Sequence, residues 1–440
     1  MYDTGCTYIG PGGLDFVQRL VKAGGQVRVP TTLNSVSTDR QRWQVLGVPA
    51  DYANKAIALG DAYLELQCQP SFTCAPYLLT NAPKLGEDLV WGESNAVVYA
   101  NSVLGARTEK YADYLDICCA IAGIVPATGV HIEANRRPTV VLDATDVIAT
   151  IREQLDANSG SDWDILFPTL GHLCGTLADG KVPILIGLEG IANRVTLDAL
   201  KAFCAAYGTT GTSPLIHIAG ITPEAKDPAV IEDFLSSCDN VRAVSLSQLE
   251  ETFRALDSDS GVEHSIELIA LGNPHLSVSE CEQLVKLIDD ESAKDAAFSQ
   301  KDPSVRIIAC MSRALHSEAQ EIGHIKRLEA FGMEFINDTC WCMLLDPPVI
   351  PIKTNAKILT NSGKYAHYGP GLTQRNFRFG SMADCVRAAA TGVYDKQSAP
   401  VSANAFPSWL AGKQTTATQR RSFAVQAMRQ VRPFLRVCRR

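Results

Sequence analysis

From Lys181 onward the chain alternates short apolar runs with helix-length amphipathic segments, and this rhythm restricts its folds more than any other feature. Residues 182–188, 213–218, 242–246, 266–271, 305–309 and 334–336 read as strands, while 196–207, 228–235, 246–257, 278–287 and 314–330 carry helical spacing. Strands that follow helices at this interval build parallel or mixed sheets covered by helices, so the fold class is α/β. With 440 residues the chain exceeds one ordinary compact domain, and two or three domains are expected. The short apolar runs, such as 182–188, are bounded by Pro and Gly and fall well short of the ~20 residues that span a bilayer.

Upstream the pattern is less regular. Residues 13–20 read as a short helix stopped by Gly24-Gly25, and 26–29 as a strand entering the polar loop Thr31-Thr32-Leu33-Asn34. A helix over 52–66 leads to a second polar loop, Thr73-Cys74-Ala75-Pro76-Tyr77. Residues 87–99 are strand-like but interrupted by Trp91-Gly92-Glu93-Ser94-Asn95. A helix over 111–123 ends on glycine. Strands are then predicted at 139–142 and 164–166, with a helix over 144–157 between them. The last residues, 413–440, are basic and show no core-forming pattern. We divide the chain into an N-terminal α/β region (1–137), an α/β region (138–345), a closing segment (346–411) and a basic tail (412–440).

Charge and cysteine usage exclude several roles. A net charge of −8 argues against a general nucleic-acid binder or a protein held on anionic lipid. The first residues lack the basic-then-apolar order of a secretory leader, so a soluble, cytoplasmic chain is expected. The fourteen cysteines are scattered and no pair has CxxC spacing. Most are therefore expected to be buried thiols, and any metal site must be assembled from distant segments.

Several loops combine small residues with hydroxyl, amide or cationic groups suited to a small, oxygen-rich substrate. They include Gly5-Cys6-Thr7-Tyr8, the Thr31 and Thr73 loops, Glu93-Ser94-Asn95, Gly272-Asn273-Pro274-His275 and Asn337-Asp338-Thr339-Cys340. Arg107 can fork onto a carboxylate, and Lys364 offers a point charge for a carboxylate or phosphate. Taken singly, each has a plainer reading. Thr-Cys or Ser-Asn pairs make capped turns or buried thiols, Arg107 makes a surface ion pair, and for His275 capping or packing a helix stands level with catalysis.

The ordered set is more specific. The stretch Trp91-Gly92-Glu93-Ser94-Asn95-Ala96-Val97, continuing to Asn101-Ser102-Val103-Leu104-Gly105-Ala106-Arg107-Thr108, closely resembles the signature of aconitase X, a divergent branch of the aconitase superfamily. The Val29-Pro30-Thr31-Thr32-Leu33-Asn34 and Thr73 loops, His217-Ile218-Ala219-Gly220-Ile221-Thr222-Pro223, and Ser362-Gly363-Lys364-Tyr365-Ala366-His367-Tyr368 are similar to that family in the same order, over roughly residues 3–410. The resemblance implies an aconitase-like, multi-domain hydro-lyase with an iron–sulfur cluster or mononuclear iron. Its expected substrate is cis-3-hydroxy-L-proline, with mevalonate 5-phosphate as the alternative. It further implies that Cys74 and Cys340 bind metal. Asn273 stands where a third cysteine is expected, with Cys310 as a possible substitute. Cys342 is another possible substitute, although two residues beyond Cys340 it would point to the opposite face if the chain there is extended. Gly5, Cys6, Thr7, Asn34, Ser35 and Lys364 match substrate-contacting positions, with Glu93, Ser94, Asn95 and Arg107 placed near the site.

Members of the family also have a helical segment ahead of the Gly5 loop and a small swivelling domain, fused or separate, that carries a serine base. Neither is recognisable in this sequence. The resemblance therefore implies either a small partner subunit or a truncated, non-catalytic relative.

Overall fold

In the computed structural model, which describes residues 1–157, 163–258 and 264–394, eleven strands fall into three sheets. The strands are β1 (Tyr2–Cys6), β2 (Thr31–Val36), β3 (Val140–Asp143), β4 (Pro183–Ile186), β5 (His217–Ile218) and β6 (Val241–Ala243). They continue with β7 (Leu268–Leu271), β8 (Arg306–Cys310), β9 (Met333–Ile336), β10 (Lys357–Thr360) and β11 (Asn376–Phe379). All pairings between these strands are parallel. β1 pairs with β2, the second sheet runs β5-β4-β3-β6, and the third runs β11-β10-β7-β8-β9.

The third sheet shows why the alternating region is legible. Strands β7, β8 and β10 consist of or end in runs such as Leu-Ile-Ala-Leu and Ile-Ile-Ala-Cys, buried on both faces. A parallel strand covered by helices on either side has no polar face to show. Connecting helices start on serines that satisfy their free N–H groups, with reciprocal capping boxes at Ser245, Ser277 and Ser381. The expected helix over 314–330 is two helices, Arg313–Glu321 and His324–Phe331, separated at Gly323 in the left-handed region (φ 88°). Residues 346–411, expected above as a closing segment, supply β10 and β11 to this same sheet. The basic tail, 412–440, lies outside the described residues.

Four local expectations change. The Gly5-Cys6 and Thr31–Asn34 segments are not loops but lie in β1 and β2, paired from Tyr2↔Thr31 to Cys6↔Val36. Their polar side chains hide them from pattern reading, because Asp3, Thr32 and Asn34 satisfy one another inside the fold. Residues 26–29, expected as a strand, only lead into β2. Residues 164–166 belong to the helix Trp163–Ala178, which holds Pro168 internally. Proline there removes one helical hydrogen bond, and burial of nearly the whole helix offsets the loss. The strand-like run around Glu93 contains the helix Ser94–Tyr99, which continues into a wider π-type turn at Ala100–Leu104.

Because strands run parallel, their carboxyl ends share an edge, and the loops leaving that edge converge. Gly272-Asn273 follows β7, Asn337 through Cys340 follow β9, and Asn361 through Lys364 follow β10.

Candidate metal centre and substrate loops

At this edge the side chains of Cys74, Cys340 and Cys342 meet. The Cys340 thiol is in hydrogen-bonding contact with both of the others. Cys342 faces inward because the chain does not stay extended after Cys340 but turns through a 3-10 segment, Trp341–Met343. The extended chain on which that expectation rested is therefore not what forms. Asn273 Nδ2 donates to Cys342 Sγ at 3.6 Å, while its Oδ1 is buried with no hydrogen-bond partner. The His275 backbone N–H donates to Cys74 Sγ at 3.4 Å. Cys310 ends β8 inside an apolar cluster with Trp341 and Tyr365, and burial pushes its thiol up, with Cys340 and Cys342 adding to the shift.

One cation stands beside the sulfurs. Lys364 Nζ donates to Glu93 Oε1 at 2.5 Å, and Asn95 Nδ2 donates to the same oxygen at 2.8 Å. Burial alone would lower the Lys364 pKa, but Glu93 and the three sulfurs outweigh it and hold the ammonium charged. Burial would likewise raise the Glu93 carboxyl; the Lys364 charge and hydrogen bond pull it below its usual range. Tyr77 OH donates to Asn95 Oδ1 at 2.9 Å and fixes that amide.

The paired strands β1 and β2 carry the second group. Asp3 accepts from Thr32 Oγ1 at 2.6 Å and from Asn34 Nδ2 at 3.0 Å. Cys6 Sγ donates to Asn34 O at 2.8 Å and Thr7 Oγ1 to Ser35 O at 3.4 Å, while Ser35 Oγ is buried without a partner. Asp116 accepts the Gly5 N–H at 2.8 Å. Burial raises Asp3 to about 7 and Asp116 to about 6. Glu93 is near enough to Asp3 to add to its shift, which links the two groups.

Three family models match in succession: the aconitase X first domain over residues 4–134, the second over 138–254 and the third over 266–391. The chain is also 32% identical to a phosphomevalonate dehydratase large subunit of Methanothermobacter thermautotrophicus, covering 83% of this chain and 81% of that protein. The chain belongs to the aconitase X family. A cis-3-hydroxy-L-proline dehydratase of Pseudomonas aeruginosa is 45% identical over 387 residues, and one of Hypocrea jecorina is 42% identical over 393. This chain spans 62% of the length of each of these two relatives, with 88% and 89% of its own length matched. The crystal structure of Thermococcus kodakaraensis aconitase X, a holo-form, superposes with a TM-score of 0.70 at 26% identity, covering 88% of this chain and 89% of that one.

Within this aconitase X chain the structure brings together Cys74, Cys340, Asn273, Glu93, Asn95 and Lys364, with Cys342 added. It sets Gly5, Cys6, Thr7, Asn34 and Ser35 on the neighbouring strand pair. Ser94 opens the helix beside Glu93 and is half-buried, with its backbone packed against Gly208. Arg107 is not brought to the cysteines: it donates to His131 O at 3.1 Å and pairs with Glu133. Its plainer reading as an ion-pair residue fits that placement.

Sequence reasoning passed over Asp3 and Asp116, and left His275 open between a capping or packing part and catalysis. The His275 partners lie 202 and 64 positions away, so no local signal could have found them. Among the described residues no group of three or more His, Cys, Asp or Glu side chains is arranged to hold a metal ion alone. The donor chemistry still fits iron if the asparagine is included. Soft sulfurs meet the Asn273 amide, whose Nδ2 contacts Cys342 Sγ and whose Oδ1 is buried without a partner, and clustered thiols need an added positive charge to ionise.

Proposed function

We propose that this chain is the iron-binding portion of a hydro-lyase that removes water from a small hydroxy acid, with cis-3-hydroxy-L-proline as substrate. The observation that carries the reading is the meeting of Cys74, Cys340 and Cys342, with the Asn273 amide on Cys342 and the Lys364 charge, paired with Glu93, beside them. The 45% identity to the Pseudomonas aeruginosa enzyme favours that substrate over mevalonate 5-phosphate.

Cys74 and Cys340 would hold the iron or iron–sulfur group, with Asn273 Oδ1 and Cys342 as further donors. Iron, when bound, supplies a Lewis acid that draws electrons from the leaving hydroxyl. The chain's own residues orient the substrate. Lys364, kept charged by Glu93, presents an ammonium to the carboxylate, while the free Ser35 Oγ and the amide of Asn34 address its polar edge. Glu93 is committed to Lys364 and Asn95, so the proton is taken by a base carried on a small domain or subunit. The relatives named as large subunits support such a partner. Among the described residues no helix is long and apolar enough to cross a membrane. All thirteen described cysteines are free thiols, which suits the reducing cytoplasm.

Iron and acid-labile sulfide should be measured on the chain after anaerobic purification. Stoichiometric iron is expected, and Cys74→Ser and Cys340→Ser should each lose it. Retention of iron by both variants would reject the ligand assignment. With a candidate small subunit added, water loss from cis-3-hydroxy-L-proline is expected; turnover of mevalonate 5-phosphate alone would replace the substrate.

A further inference from the structure

His275 is fully buried and every polar atom it has is used, by three separate parts of the molecule. Its Nε2 lies 2.8 Å from Thr339 O, the carbonyl just before Cys340. A carbonyl only accepts, so Nε2 carries the hydrogen. Its Nδ1 lies 3.0 Å from Thr73 Oγ1, the hydroxyl just before Cys74. That hydroxyl already accepts the Ala75 N–H at 3.1 Å, which leaves its own hydrogen to point at Nδ1. The hydrogens therefore run one way, from Ala75 through Thr73 to the ring, and from the ring to Thr339. The backbone of His275 extends the pattern. Its N–H donates to Cys74 Sγ, and its carbonyl accepts from the buried Lys201 Nζ at 3.0 Å. Lys201, on the helix Leu197–Thr210, is itself held by Glu280.

One residue thus touches the first domain at Thr73 and Cys74, the second at Lys201, and the third at Thr339. We propose that His275 is a positioning residue: its neutral ring staples the Cys74 loop to the Cys340 loop and sets the separation of the two thiols. The role in metal affinity rests on the iron-binding reading above; the staple itself does not. Ring nitrogens bonded on both sides fix the loops much as outer-shell partners fix metal ligands, where their loss costs about 10–100-fold in affinity.

Two measurements on the full chain separate the staple from the metal reading. In the metal-free chain, Thr73→Val removes the bond to the ring together with the acceptor of the Ala75 N–H, so exchange over 337–343 is the readout that isolates the staple, and His275→Gln keeps a donor able to reach Thr339. Hydrogen exchange over residues 72–77 and 337–343 should quicken about tenfold in Thr73→Val and more in His275→Ala, with His275→Gln between wild type and Ala. Exchange in β8 should not change. Unaltered exchange in both loops would overturn the staple whatever the metal does. Anaerobic cobalt(II) titration, followed by thiolate charge-transfer absorption, then reads affinity. Thr73→Val should bind about 10–100-fold more weakly than wild type with an unchanged unfolding midpoint. Wild-type affinity in Thr73→Val, with Cys74→Ser losing the absorption, would overturn the effect of the staple on the metal site. A wild-type chain without cobalt absorption would instead reject the metal reading, leaving the exchange result to judge the staple.

Discussion

Asp3 shows how far a single position can depend on the fold around it. Its carboxyl is buried between Thr32 and Asn34, and desolvation raises it to about 7, with Asp116 raised to about 6 a short distance away. The folded chain therefore keeps protons that the unfolded chain releases near pH 4. Unfolding free energy falls with pH wherever the native state binds more protons, here from about pH 4 up through about pH 7. Replacing Asp3 by Asn removes one such group. The expected outcome is a smaller loss of urea stability between pH 5 and pH 8 in Asp3→Asn than in wild type. Equal slopes for the two proteins would show that Asp3 is ionised throughout.

At the scale of elements, the helices Trp163–Ala178 and Leu197–Thr210 approach closely enough that only glycine fits at two contacts. A Cβ on Gly171 would lie 2.2 Å from Phe203 O, and one on Gly175 would lie 2.3 Å from Thr210 Oγ1. Backbone cannot yield as a side-chain tip does, so Gly171→Ala must separate the helices. We expect a loss of about 1–3 kcal/mol, read from urea unfolding. Gly12→Ala, in the helix Pro11–Lys22 where nothing lies within 4 Å, is the matched control. It should be neutral or stabilising by up to about 1 kcal/mol, since alanine is the better helix former. Similar losses in both variants would mean that the close approach is not what constrains Gly171. The same helix pair carries Lys201, so its spacing bears directly on the loop at His275.

Across the whole molecule, the first and third domains are tied by charge. Arg313 pairs with Asp39 at 3.2 Å and with Asp338 at 2.6 Å, and Asp338 also accepts the Arg40 N–H. Both aspartates are buried, and a cavity of about 290 Å³ lined by Arg40, Phe72, Arg313 and Asp338 opens beside them. Removing the arginine would strand two buried carboxylates. Arg313→Met should therefore lower the urea midpoint at pH 7, and Arg313→Lys, which keeps the charge but not the fork, should lose less. Equal losses in the two variants would show that the charge is not what holds the aspartates.

The division between what was legible and what was not follows from the range of the forces. Parallel strands β4, β7 and β8 could be read because burial on both faces leaves a nearly uninterrupted apolar run, a strictly local pattern. Cys74, Cys340, Glu93 and Lys364 were legible as candidates because the motifs that carry them are long and ordered. β1 and β2 were not, since Asp3, Thr32 and Asn34 look like loop residues until their side chains find one another across about thirty positions. Cys342 joined the thiols only because a 3-10 turn replaced an extended chain. The sequence by itself determined the α/β class, the family and the residue types available for chemistry, because these rest on periodicity and motif order. The tertiary structure alone decided which residues meet: it turned Arg107 to Glu133, and set His275 between loops 202 and 64 positions away. Hydrogen bonds and burial act over a few ångströms in space, and distance along the chain does not reveal which groups will come that close.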